Sequence, residues 1–165
     1  PYLPFAVRLP LRAIRLEPKQ QRQYVSVSSL RYDNSMKTTV EMHQLREALE
    51  ASWRKDTAYL FVEEKGNPAL GQCYPTSRVV QHFFPETQIV KGHVWTGRAL
   101  EAHFWNTLDV DGVKYHIDFS WRQFPPGSVV KDFRLLTKEE FSDSEATVKR
   151  VNLLLERVEH YLSLN

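Results

Sequence analysis

Cys73, His103 and Asp118 stand in the chain order nucleophile, base and orienting acid, the residue types that carry covalent acyl transfer. Such trios recur by chance, so the weight falls on the hairpin that holds the last two. Two β-rich runs, Glu101 to Val110 and Val113 to Ser120, are joined by Asp111-Gly112, a two-residue turn of the type I′ class. That turn makes Val110 face Val113, and stepping outward brings Trp105 opposite Asp118 and His103 opposite Ser120. Opposed residues share a face, so His103, Trp105, Asp118 and Ser120 line one side of the pair, and Phe104, Asn106, Ile117 and Phe119 the other. His103 and Asp118 become diagonal neighbours, about 7–8 Å apart at the backbone and within side-chain reach. The expectation is that the Asp118 carboxylate holds Nδ1–H of His103 and leaves Nε2 facing a thiol.

The thiol must then be presented and activated, since a free cysteine is mostly protonated at neutral pH. The run Asn67-Pro68-Ala69-Leu70-Gly71-Gln72 ends a loop, and Cys73-Tyr74-Pro75 opens a helix whose Val79, Val80, Phe83 and Phe84 share one face. Cys73 thus sits at a helix start, where the dipole and unpaired N–H groups favour a thiolate. The Cys73 N–H and the Gln72 side chain are expected as oxyanion donors, with Trp105 as a candidate substrate contact.

Around this trio, Leu45, Ala48, Leu49 and Trp53 recur at helical spacing behind Thr38 or Thr39 as a cap, which predicts a first helix over 39–53. Thr87 to Trp95 reads as a further strand. Pro125, Pro126 and Gly127 break the β texture. Thr137-Lys138-Glu139-Glu140 reads as a capping box ahead of a long terminal helix striped with Val148, Val151, Leu154, Leu155, Val158, Tyr161 and Leu162. The predicted class is α+β: N-terminal helices, a small antiparallel sheet and a C-terminal helix, forming a single domain over 36–165.

Residues 1–35 have another texture, with four of the nine prolines and no sustained period. They read as an extended or disordered basic arm; with the first methionine at Met36 one reading is sequence foreign to the native protein, and a bound extended strand is the other. The arm holds six Lys and Arg against two acidic residues, a net +4; the whole chain is +2, so the remaining residues carry −2. A slightly acidic domain has no footprint for phosphate backbones, so nucleic acid is not expected as a partner. No run approaches the length of apolar chain that a membrane span needs, and no signal segment opens the sequence. A lone cysteine cannot form an internal disulfide, which suits a reducing compartment, and the expected location is the cytoplasm.

Ser52-Trp53, Asn67-Pro68-Ala69-Leu70-Gly71-Gln72-Cys73, His103-Phe104-Trp105-Asn106 and Asp118 with Gln123-Phe124 together resemble the bacterial YunG-like family over about residues 43–160. More broadly, a helix-start Cys followed by a strand His and a next-strand Asp resembles the papain-like and transglutaminase-like cysteine-protease superfamily. The resemblance implies a papain-like or transglutaminase-like fold and a Cys-His-Asp centre, acting without a cofactor on the amide of a protein or peptide. One departure is that the superfamily's upstream oxyanion glutamine is absent, with Gln72 adjacent to the cysteine instead.

Plainer readings stand beside these. Cys73 is a small buried hydrophobe in one, and Asp118 a mere partner of Arg122 in another. His116 shares the His103 face, so a Cys/His/His/Asp zinc site is a rival, though it lacks a close ligand pair. A non-catalytic binding or regulatory module on an enzyme-like fold is the alternative from a different class. His43, His82 and His160 read as solvent-facing helix residues.

Overall fold

The structure, a computed structural model, describes residues 31–34, 37–137, 140–141 and 143–164. Most of the proposed arm therefore lies outside the described residues; its last part, β1 (Arg31–Asn34), pairs antiparallel with β2 (Lys37–Glu41). The first helix, α1 (Met42–Ser52), starts later than the threonines predict, because Glu41 is its cap and its N–H is taken by the Gln44 side chain at 2.9 Å. Helix α2 (Cys73–Phe83) begins on the cysteine.

Strands β3 (Gln88–Trp95), β4 (Leu100–Val110), β5 (Val113–Ile117) and β6 (Val129–Leu135) form an antiparallel sheet in the order β5-β4-β3-β6. The β4/β5 register runs from Val110↔Val113 to Asn106↔Ile117, and both turn residues, Asp111 and Gly112, have positive φ, as a type I′ turn requires. β6 is the strand that the sequence pattern hides. A bulge opposite His93 and Val94 breaks its period, so the residues it turns toward the Trp105 side do not alternate strictly.

Chain-terminal α3 (Glu145–Leu164) packs on α1 and α2. The capping box expected at Thr137 does not start it: the Glu140 carboxylate takes the Thr137 N–H at 2.9 Å and pairs with Arg134, and Ser144 Oγ instead accepts from Thr147 N–H at the helix entrance. Lys138 and Glu139 lie outside the described residues. None of the described helices is long and apolar enough to cross a membrane.

Two apolar clusters divide the interior. Leu45, Leu49, Trp53, Val79, Phe84 and Leu154 fuse the three helices to one face of the sheet, each such side chain contributing about 1.5–3 kcal/mol when fully buried. Val90, Val94, Trp105, Phe124 and Val130 form the second, toward the face that carries His103. Helix α2 packs in the first cluster and is also held by polar ties. Trp53 Nε1 donates to Thr76 Oγ1 at 3.0 Å, and buried Asn106 donates Nδ2 to the Ser77 carbonyl at 3.0 Å.

The approach to α2 is fixed by Gly71. Its φ is +70°, its carbonyl accepts from Tyr59 N–H at 2.8 Å, and a Cβ there would stand 2.6 Å from Val62 Cγ2 and 3.2 Å from Tyr59 N. Gly66 has φ +82° but nothing within 4 Å of the equivalent position. Gly71→Ala should therefore cost about 2–4 kcal/mol, strain plus clash, against about 1 kcal/mol for Gly66→Ala, where strain acts alone. Equal losses in denaturant titrations of the two variants would refute the close-packed turn.

Candidate functional site

Each site residue is delivered by a different element. β4 carries His103 inward and buries it completely, and the chain just past β5 carries Asp118, whose side chain is 2% exposed. The two meet at 2.6 Å between His103 Nε2 and Asp118 Oδ2, a short charge-assisted contact. The diagonal read from the hairpin is thus present, with the ring nitrogens exchanged: the far nitrogen Nε2, not Nδ1, reaches the carboxylate. The reason is reach, because Asp118 lies beyond the last paired residue of β5, Ile117. Its second oxygen accepts from Ser120 N–H at 3.0 Å and Ser120 Oγ at 3.1 Å, and neither oxygen is the partner of Arg122. That guanidinium instead pairs with Glu50 at 3.0 Å.

An aromatic wall encloses the imidazole. Trp105 stacks on it with centroids 5.4 Å apart and planes 26° apart, while Phe124 at 4.8 Å and Trp121 at 6.0 Å meet it edge-on. Trp105 is 2% exposed, so it backs the base and does not line a substrate surface as the sequence suggests. Gly92, opposite His103 in the β3/β4 register, makes room for that indole: a Cβ there would lie 2.6 Å from the Trp105 ring.

Cys73 stands half-buried at the first turn of α2, close enough to the ring to raise its proton affinity. Burial pulls the His103 pKa down, but the charge and hydrogen bond of Asp118, reinforced by Cys73, outweigh it and raise the pKa from 6.5 to about 10.

The Gln72 side chain, expected as an oxyanion donor, is enclosed by the chain around it. Its amide is 1% exposed, accepts from Thr57 Oγ1 at 3.0 Å and donates to the Arg54 carbonyl at 2.8 Å. A buried amide must spend its bonds on the groups that enclose it, and here they tie the loop after α1 to the α2 entrance. Gln123 is the amide that reaches the site. Its Nε2 lies 3.1 Å from His103 Nδ1 and its Oε1 accepts from Gly71 N–H at 3.3 Å. The signal for it was the cluster Trp121-Arg122-Gln123-Phe124 directly after Asp118, which has no period to announce that it folds back over the histidine as a short 3-10 turn.

His116, the extra member of the zinc rival, has its Nδ1 accepting from Trp105 Nε1 at 2.8 Å, and burial, its largest influence, pushes its pKa down. No group of three or more His, Cys, Asp or Glu able to hold a metal ion occurs among the described residues. His43, His82 and His160 are exposed.

Because His103 titrates higher in the fold than its ordinary 6.5, its pairing with Asp118 adds stability that is complete below about pH 6.5 and fades as pH climbs toward 10. Asp118→Asn should cost about 3 kcal/mol or more at pH 6, the toll of stranding a buried charge, and much less at pH 10. An unfolding free-energy loss that stays constant between those pH values would contradict a charged His103.

No curated protein and no solved structure matches this chain. The model of the YunG protein family matches residues 41–163, a span that starts at the α1 cap and includes Cys73, His103, Asp118 and Gln123. With the match covering most of the chain, as the resemblance around the cysteine implies, the protein belongs to the YunG protein family.

Proposed function

We propose that this domain is a thiol enzyme that acts by covalent acyl transfer on amide bonds of a protein or peptide, as a peptidase, deamidase or transglutaminase-like enzyme, and that it stands with the papain-like and transglutaminase-like cysteine enzymes. The observation that carries the reading is the sealed His103–Asp118 pair, 2.6 Å apart, with Cys73 among the groups that raise the ring's proton affinity. A structural histidine has no need of a buried carboxylate bound to its ring and a half-buried thiol near by. Sequestered acid–base pairs of this kind gather at reactive centres.

In this reading the thiol proton rests on His103 Nδ1, and Cys73 Sγ attacks the amide carbonyl carbon as the thiolate. Asp118 holds the imidazolium through Nε2–H. The C–N bond breaks as Nδ1 gives its proton to the departing nitrogen, leaving a thioester on Cys73. Water or an amine then attacks the thioester carbonyl and gives its proton to Nδ1, and the sulfur departs as the thiolate. The identity of that second nucleophile separates hydrolysis from transamidation. Cys73 N–H, in the first turn of α2 where it lacks an intrahelical acceptor, is the backbone donor nearest the developing oxyanion. The half-burial of Cys73 supports an enzyme over the binding-module alternative, which calls for a sealed sulfur out of reach of the ring.

Cys73→Ala should abolish covalent trapping by an electrophilic peptide amide analogue while shifting the melting temperature by no more than about 2 °C, the effect of a fraction of a kcal/mol in a domain this size. Intact-mass spectrometry and calorimetry read the two quantities. If the wild type is never labelled and Cys73→Ala is strongly destabilised, the cysteine is a packing residue and the proposal fails.

A further inference from the structure

Three groups act on the His103 ring. Asp118 takes Nε2 at 2.6 Å, the Gln123 amide stands 3.1 Å from Nδ1, and Cys73 adds its own influence on the ring. The orientation of that amide is set from its far side. Gly71 N–H needs an acceptor and finds Gln123 Oε1 at 3.3 Å, which turns Nε2, a donor, toward the ring. The residue cannot readily withdraw, because its backbone carbonyl accepts from Asn67 Nδ2 at 3.1 Å and its N–H bonds the Ser120 carbonyl at 2.9 Å.

A donor at Nδ1 can be satisfied only by a ring that carries no proton there. Asp118 and Gln123 therefore pull against each other: the carboxylate favours the imidazolium, and the amide favours the neutral Nε2–H tautomer. The remaining neighbours do not settle the contest, since Trp105, Trp121 and Phe124 bear no charge. Arg122 is held by Glu50, and His116 stands beyond Trp105, bonded to its indole. We propose that Gln123 is a positioning residue that stabilises the neutral form of His103, so that the ring's proton affinity is lower than Asp118 alone would make it and Nδ1 can both take and return a proton.

The chemical reason rests on the acyl-transfer reading. A base that alternates between accepting the thiol proton and donating to a leaving amine works best when neither protonation state is strongly preferred at working pH. A ring bound to a buried carboxylate alone would hold its proton too tightly, and the Gln123 N–H offsets this with one hydrogen bond. When the proton arrives at Nδ1 the amide N–H loses its acceptor, and the same group is then available to a neighbouring anion.

The test is a titration of the His103 ring nitrogens by 15N NMR, in the full chain with Cys73→Ala so that the sulfur takes no part. Gln123→Leu removes the donor and should raise the ring's proton affinity about tenfold, the worth of one hydrogen bond. Gln123→Glu keeps an acceptor for Gly71 N–H but sets an oxygen against Nδ1, and should raise the affinity further still. The order Gln, Leu, Glu supports the proposal whatever the two variants do to the melting temperature, because lost packing alone would not rank them so. An unchanged or lowered affinity in Gln123→Leu, or equal values in the two variants, overturns it. The titration needs no turnover, so failure of the acyl-transfer reading would show separately, as a wild-type Cys73 that resists electrophiles while the ring titration keeps its order.

Discussion

The constraint on which the site depends is a histidine and a carboxylate sealed together at 2.6 Å with almost no exposure to solvent. Removing such groups from water is expensive, and the cost is tolerable only when every lone pair and proton finds a partner. The surrounding structure meets that condition. Asp118 divides its oxygens between the ring and Ser120, His103 divides its nitrogens between Asp118 and Gln123, and the aromatic rings exclude water that would otherwise weaken the pair. A glycine on the neighbouring strand serves this end too, Gly92 giving the Trp105 indole its place against the ring.

The second requirement is convergence of three segments of the chain. The hairpin supplies His103 and Asp118, α2 supplies Cys73, and the 3-10 turn after Asp118 supplies Gln123. They are sewn together through the loop that precedes α2. Its Asn67 and Gly71 donate to Gln123, while Gln72 reaches back to Arg54 and Thr57. The loop that delivers the nucleophile and the turn that covers the base thereby form one bonded unit. A displacement of either is felt by the other, which fits the tight geometry that proton transfer demands.

Much of this was legible in the residues because the informative features are local. A two-residue turn dictates the pairing of the strands that leave it, so Asp111-Gly112 placed His103 and Asp118 on one face without any knowledge of the rest. The Gly-Gln-Cys-Tyr-Pro run marked the α2 start for equally local reasons. What escaped depended on tertiary contacts. β6 was concealed by a bulge that its sequence does not signal. The ring nitrogens were exchanged because the reach to Asp118 depends on where β5 stops pairing. Gln72 and Gln123 are chemically identical, and only the packing around each shows that the first is enclosed by Arg54 and Thr57 while the second meets the histidine. Thr137 to Glu140 has the letters of a helix cap, yet Arg134 claims the glutamate for a turn.

The claim at the centre is that His103 and Asp118 exist to govern the protonation of Cys73. The pH dependence of Cys73 alkylation by iodoacetamide, followed by intact mass in the wild type and in His103→Ala, tests it most directly. A thiol governed by the ring reacts readily at pH 6 in the wild type, and in His103→Ala reacts only as pH approaches that of an ordinary thiol, about 8.5. Identical profiles for the two proteins, both rising only near that pH, would contradict the account.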